Sequence, residues 1–448
     1  MGSVGLVPGA LVRPEFGPDF VYLRRVVRAD AETLVIAPKS FENRDGTTTI
    51  GSRLDLRRVA LGLLFQAAET LLVAYCPDGL LVTRLPSRRQ ARRRWERLVA
   101  AAHRGELATA SLFTGLGTLD AALHDGLRQA GFRAASLWAN DNWEPAVEGL
   151  MADNPARPRT ALACGIEEVV ALTAERELPV PDLLVMGLPC KGASKLNIRD
   201  RATPERHPVV GHQILNVAMV LQALRHNTPL ILLENVTAYA DTVSCAMLTK
   251  VLTEQGYAVA LVGDRDDLDG YQGLNGADFG DMERRRRMAL LAYPPQLEPF
   301  LDWRAMRRST STQTVGEIRE PEHLVPSGEY DKGLGLPAKA ARRFKMKVAE
   351  DADTSVGVIS SDCWKQRVED PRLRAKDGSG RVRLPLPEEH ARLKGQPEGL
   401  IRSLPTNTAA HTALGNGTTR RVWVEFGRAL GLAVRRSQNL SPAPGLPA

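Results

Sequence analysis

Four short stretches place ligand-holding or reactive residue types directly beside apolar runs. The first is Ser111-Leu112-Phe113-Thr114-Gly115-Leu116-Gly117. Glycines let backbone approach a ligand closely, and a following helix offers unpaired N–H groups. Asp141 ends the next apolar run, and an acid about 20 residues after such a turn is placed to hold a ribose. The bland alternative is an ordinary strand–helix turn followed by a surface Asp. The second stretch, Gly187-Leu188-Pro189-Cys190-Lys191-Gly192, presents a thiol after a buried run. Backbone amides and Lys191 would favour its thiolate; otherwise Cys190 is a small buried hydrophobe. The third, Leu233-Glu234-Asn235-Val236, puts a carboxyl where a strand ends, able to meet a ring nitrogen. The competing reading is a helix N-cap pair. The fourth is Phe279-Gly280-Asp281-Met282-Glu283-Arg284-Arg285-Arg286-Arg287. In an extended chain Arg285 and Arg287 share one face, and Arg284 and Arg286 the other.

The elements carrying these residues alternate. Strands are expected at 110–113, 134–139, 183–186, 230–233, 257–262 and 287–293. Helices are expected at 119–130, 144–153, 212–225 and 241–255. This rhythm predicts an α/β fold, a doubly wound parallel sheet of Rossmann-like form wrapped by helices. Ligands of such sheets bind at the carboxyl ends of the strands, which is where the first three stretches lie.

The rest of the chain divides by composition. Residues 1–86 alternate short apolar runs with turns and predict a small β-rich unit. Residues 87–105 form a basic helix, crowded by Arg88, Arg89, Arg92, Arg93, Arg94, Arg97 and Arg104, either solvated or tracking phosphates. The region of alternating strands and helices is 106–293. Residues 294–400 lose the alternation and predict a separate irregular lobe, where Trp303, Phe344 and Trp364 punctuate basic clusters. Order returns over 401–436, and 437–448 reads as a frayed tail.

The chain has 448 residues, 43% hydrophobic and 25% charged, with a formal charge of +7. That is enough for two or three domains with real cores. No apolar run approaches the ~18 residues of a membrane span, and the first residues show no leader pattern. Five cysteines without a C-x-x-C argue against a disulfide framework or structural zinc, so a cytoplasmic, reducing setting without metal is expected. Cys76, Cys164, Cys245 and Cys363 are expected to be small hydrophobes. The basic balance favours an acidic partner such as nucleic acid.

Taken in order, the stretches F-x-G-x-G, an acid, P-C, E-N-V, F-G-x-x-x-x-R-x-R, a variable lobe and a late G-N resemble the DNA cytosine-5 methyltransferase family over about 108–293 and 410–432. The resemblance implies that Phe113, Gly115, Gly117 and Pro189 hold S-adenosylmethionine, with Asp141 on its ribose and Asn416 in the family's last motif. It implies Cys190 as nucleophile at cytosine C6, Glu234 as acid at N3, and Arg285 and Arg287 as the R-x-R pair, the latter reaching the base carbonyl. Addition of a thiolate makes C5 nucleophilic enough to accept a methyl group. The base must leave the helix to be reached. The loop 191–210, with Lys191, Ser194, Lys195, Arg199, Arg201 and Arg206, is expected to close over double-stranded DNA, and 294–400 corresponds to the target-recognition lobe. A monomer on DNA is expected.

The chain also departs from that pattern. Lys191 stands where the family has Gln, and Ala193 where it has an aromatic. Gly117-Thr118 replaces Gly-Gly, and Cys164-Gly165-Ile166 replaces G-D-I. Glu283 replaces the Gln of Q-x-R-x-R, and Asn142 precedes Trp143. Three other readings stand beside an active DNA enzyme: an RNA (tRNA) cytosine-5 methyltransferase, a non-catalytic DNA-binding relative, and an enzyme for a carboxylated donor recognised by Lys191.

Overall fold

A computed structural model describes residues 5–54, 64–65, 70–190, 192–193, 204–266, 270–326, 328–333 and 346–439. The chain divides into two units between Gln90 and Ala91.

In the first unit, β1 (Leu11–Phe16), β2 (Phe20–Val26), β3 (Leu34–Val35), β6 (Leu71–Cys76) and β7 (Gly79–Arg84) form an antiparallel sheet in the order β3-β1-β2-β7-β6. Strands β4 (Ala37–Glu42) and β5 (Thr48–Arg53) pair as a separate hairpin. Alternation places Val12, Val21 and Leu23 inward, where they meet Leu6, Ile36 and Leu80.

Helix α1 (Pro86–Arg104) spans the division. From Ala91 onward it buries Trp95, Leu98, Val99, Ala101 and Ala102 in the core of the second unit. Its arginines do not act as one charged face. Arg94 is fully buried, donating to Arg225 O at 2.6 Å and Gln255 O at 2.7 Å, with its guanidinium 3.8 Å from the Tyr257 ring centroid. Arg97 pairs with buried Asp182 at 2.6 Å. Arg92 and Arg93 remain exposed.

The second unit is built on β8 (Glu106–Leu112), β9 (Arg133–Asp141), β10 (Thr160–Ala163), β11 (Leu183–Gly187), β12 (Leu230–Asn235), β13 (Ala258–Val262), β14 (Asp264–Asp266), β15 (Gly270–Asn275) and β16 (Arg286–Tyr293). Among the described residues their order is β10-β9-β8-β11-β12-β16-β15-β14, with β13 also on β16. The first five are mutually parallel, but β16 runs antiparallel to β12, β13 and β15. The sheet is therefore mixed, not parallel throughout as the alternation predicted. An apolar run such as Met288–Tyr293 reports burial on both faces and carries no direction. Direction is set by the connection, and the described residues from 263 to 285 hold short strands and a single 3-10 turn, with no crossover helix.

One face of the sheet is covered by α1, α2 (Thr118–Gln129) and the late helix 421–436. The other packs α4 (Ile166–Ala174), α5 (Gln213–Leu224) and α6 (Val243–Glu254). Helix α3 (Glu144–Asp153) follows β9. After β16, Leu297 and Met306 join the first core, and Trp303 stacks on Phe426 at 4.9 Å. Residues 315–393 contain the short α7 (Val315–Ile318), β17 (Val348–Ala349), β18 (Arg372–Arg374), β19 (Val382–Arg383) and α8 (Pro387–Leu393). They close around Val315, Ile318, Val356, Ile359, Cys363 and Leu373. A fully buried Arg383–Glu389 ion pair at 2.6 Å ties β19 to α8. Helices α9 (Asn407–Asn416) and α10 (Arg421–Arg436) complete the described chain. Among the described residues no helix is long and apolar enough to cross a membrane.

Candidate active site

Strand β8 ends in a strained turn. Phe113 takes φ 54°, a left-handed value rare for a residue with a side chain, and Gly115 and Gly117 take φ 53° and 71°. Asp141 fixes this turn: its two carboxylate oxygens accept Gly115 N at 2.7 Å and Trp143 N at 2.9 Å. Burial raises its pKa, while the backbone N–H groups of Trp143, Gly115 and Asn142 pull the other way. Asn154 donates to Leu116 O and Gly117 O from the far side. A methyl group on Gly117 would collide with Leu150 and Asn154, at 2.6 and 2.7 Å. A methyl on Gly115 would meet nothing within 4 Å. The turn thus has a packed back and an open front at the carboxyl edge of the sheet. Asn140 joins the neighbouring loop to it by donating to Leu162 O and Cys164 O.

The other strand ends come alongside through register. Leu112 pairs with Met186, and Gly187 with Glu234. A methyl on Gly187 would lie 3.2 Å from Phe113 O and 3.9 Å from Glu234 Oε2. The G-x-G turn, the approach to Cys190 and the carboxyl therefore meet at one point. Pro189 is half-buried and Cys190 is exposed, the most accessible of the five cysteines. Cys245 and Cys363 are buried, Cys76 and Cys164 half-buried. Asn235 is not an N-cap: it donates to Leu188 O at 3.2 Å and so holds the loop that carries Cys190.

Glu234 is buried, with 8% of its surface exposed, and its Oε1 lies 2.9 Å from Arg287 Nε. Burial raises its pKa; Arg287, Arg285 and Lys394 oppose that rise. Burial favours the protonated carboxyl and the neighbouring cations the carboxylate, so this group is placed to exchange a proton with a base. Arg285 and Arg287 turn inward, while Arg284 and Arg286 are exposed. Arg285 does not share the pocket equally with Arg287. It donates to Gly415 O at 2.6 Å, and burial lowers its pKa to about 10. Cys190 is close enough to add to the field at Arg285.

The structure thus gathers Phe113, Gly115, Gly117, Asp141, Pro189, Cys190, Glu234 and Arg287 along one sheet edge. Asn416 is exposed at the end of α9, one residue past the Gly415 carbonyl that holds Arg285. Lys191, Ser194, Lys195, Arg199 and Arg201 lie outside the described residues. Sequence reasoning missed Asn140, Asn154 and Asn235 as supports of the site. Asn140 and Asn235 each occupy the last turn-side positions of a strand beside a singled-out acid, which was a usable signal; Asn154 gave none.

A family model described as C-5 cytosine-specific DNA methylase matches residues 107–416. The chain belongs to that family. Its methylase fold is also found in solved structures. S. pombe Dnmt2 methyltransferase aligns at 17% identity and TM-score 0.53, covering 75% of this chain and all of that one (100%). The Entamoeba histolytica methyltransferase EhMeth aligns at 14% identity and TM-score 0.51, covering 72% and 98%. Spodoptera frugiperda DNMT2 aligns at 16% identity and TM-score 0.52, covering 72% and 99%. No curated protein matches the sequence. The methylase family acts on cytosine C5 with S-adenosylmethionine as donor.

Proposed function

We propose that this methylase transfers a methyl group to C5 of a flipped cytosine in double-stranded DNA, through a covalent bond between Cys190 and C6. The observation that carries the reading is the meeting at Gly187: the open turn of Gly115, the loop of Cys190 and the buried carboxyl of Glu234 converge there. The cradle fits S-adenosylmethionine. The front of Gly115 is clear of protein, and Asp141 stands beside it with acceptor capacity beyond its two backbone bonds. Bound there, S-adenosylmethionine supplies an electrophilic methyl group.

The chain's own groups do the rest. The Cys190 thiolate forms a bond to C6, and Glu234 gives its proton to N3, so the ring becomes a neutral enamine nucleophilic at C5. Arg287 orients Glu234 and faces the base beside it. After methylation, C5 loses its proton to a base in solvent, the C5–C6 double bond reforms, sulfur leaves as thiolate, and N3 returns its proton to Glu234. A pyrimidine inside a duplex cannot reach Cys190, so base flipping is part of this reading.

The lobe 315–393, which has its own core and exposes Arg374 and Trp364, supports duplex DNA over RNA, while the net charge of +7 suits either polyanion. The decisive experiment gives the purified chain S-adenosylmethionine labelled in its methyl group, with duplex DNA or tRNA. Label in 5-methylcytosine from the duplex, abolished by Cys190→Ala, is expected. Transfer that survives Cys190→Ala would refute the nucleophile, and transfer to tRNA alone would assign the RNA substrate instead.

A further inference from the structure

The residue that replaces the family's Gln, Glu283, has a partner more than a hundred positions away in sequence. Both Glu283 and Lys394 are wholly buried, and Lys394 Nζ lies 2.5 Å from Glu283 Oε2. The other oxygen, Oε1, accepts Ile359 N at 2.8 Å and stands 3.8 Å from Arg285 Nη1. Lys394 sits at the C-cap of α8, in a knot of backbone bonds. Leu393 O accepts both Met282 N and Glu283 N, and Lys394 O accepts Arg420 N at 2.9 Å. Three remote segments, 282–287, 393–394 and 415–420, are therefore pinned together directly behind Glu234 and Arg287.

We propose that Lys394 is a positioning residue of the catalytic pocket: by holding Glu283 it keeps that carboxylate off Arg285, and so keeps Arg285 and Arg287 aligned with Glu234. The inference rests on the functional reading above. The distances carry it. Glu283 has two cations within reach and takes Lys394, at 2.5 Å against 3.8 Å for Arg285. Arg285 is thereby left to bond Gly415 O. Its Nε is buried without a hydrogen-bond partner among the described residues, so nothing else fixes that end of the guanidinium. Without Lys394, the buried carboxylate must recruit Arg285 or take a proton.

Charge follows position. The groups facing Lys394 are Glu283, Arg285, Arg287 and Asp281 from the strand β16 side, Glu234 from β12, and His390 from α8. Burial and the neighbouring Arg285 push the Lys394 pKa down to about 7, while Glu283 pulls it up. The ammonium in turn lowers the proton affinity of Glu234, after Arg287 and Arg285. Lys394 therefore bears on the alkaline limb of the pH–rate profile, where Glu234 loses the proton it must donate.

The test compares wild type, Lys394→Met and Glu283→Gln/Lys394→Met. In Lys394→Met, kcat for methyl transfer is expected to fall about tenfold or more, with KM for S-adenosylmethionine little changed, because the donor's cradle lies elsewhere. Removing the stranded carboxylate in the double variant should recover most of that loss. In Lys394→Met, where the cation is gone and the Glu283 carboxylate stays, the alkaline limb should move upward, and in the double variant, which removes one charge of each sign, it should return towards wild type. A folded Lys394→Met with unchanged kcat would overturn the proposal. So would a double variant whose kcat stays as low as the single's, or a Lys394→Met whose pH profile superposes on wild type. If Lys394→Met does not fold, the kcat of the double variant, which strands no carboxylate, still decides. The Glu234 proton is also read without substrate, from the infrared band of its protonated carboxyl, identified by its loss in Glu234→Gln. That band should persist to higher pH in Lys394→Met. If the wild type methylates no nucleic acid, the functional reading fails, while an infrared titration identical in wild type and Lys394→Met overturns the ion-pair assignment by itself.

Discussion

Alanine at Gly115 and alanine at Gly117 should fail in opposite ways. Both glycines hold positive φ, 53° and 71°, so each substitution forces a side chain into left-handed backbone at roughly 1–2 kcal/mol. The added atoms then diverge. At Gly117 the methyl would lie 2.6 Å from Leu150 Cδ1 and 2.7 Å from Asn154 Nδ2, about 1 Å inside normal contact. Overpacking of this kind costs typically 1–3 kcal/mol, so Gly117→Ala should lose about 2–5 kcal/mol of stability in total. At Gly115 the methyl meets nothing, so the variant should lose only about 1–2 kcal/mol. That same methyl stands in the space assigned to the donor, where it should weaken binding at least about tenfold, or ~1.4 kcal/mol. Denaturant unfolding and calorimetric titration with S-adenosylhomocysteine measure the two quantities separately. The reasoning is refuted if Gly115→Ala binds as the wild type does, or if Gly117→Ala is as stable as Gly115→Ala.

Glu234→Gln keeps the shape of the pocket but cannot give a proton to N3; kcat should fall about 10²–10⁴-fold in a methyl-transfer assay, with donor affinity retained. His411 is buried against His390, Nδ1 to Nδ1 at 3.1 Å, and burial depresses its pKa to about 4. The unfolded chain, with a histidine pKa near 6.5, then binds more protons below that pH than the folded chain does, so stability present above about pH 6.5 is lost as pH falls towards 4, by about 3 kcal/mol from this group. Melting temperatures at pH 7 and pH 5 should show the drop, and His411→Gln should flatten it. Arg94→Met should destabilise by about 2–4 kcal/mol, since Arg225 O and Gln255 O lose their buried donor, yet leave the salt dependence of DNA binding untouched. A changed salt slope in a DNA-binding titration would instead put Arg94 on phosphate.

What could be read from the sequence was whatever one segment determines alone. The apolar runs at β8, β11 and β12, each followed by glycine, proline or asparagine, mark strand ends and put Phe113, Cys190 and Glu234 there from the sequence alone. The inward and outward division of Arg284 to Arg287 also follows from local geometry. Direction was not local: β16 looks like any buried strand, and its reversal depends on the short strands β14 and β15, which are too brief and glycine-rich to announce themselves. The crowd of arginines on α1 hid a buried Arg94, because a charge run has no mark for the member that finds carbonyls and a tyrosine ring inside. The Glu283–Lys394 contact was equally invisible, being made by two segments that meet only once the lobe has folded.

Helix α10 lies so close to α2 that a methyl on Gly126 would sit 2.0 Å from Val424 O, and one on Gly427 2.6 Å from Leu123 O. The helix that follows the Gly115 turn thus receives its cover from residues about three hundred positions later. During translation, the first half of the site emerges from the ribosome long before the helix that covers α2 does, and the apolar side of α2 waits uncovered until 421–436 are made. Chains released before that point carry every reactive side group named here and yet lack the helix that packs against α2 behind the Gly115 turn.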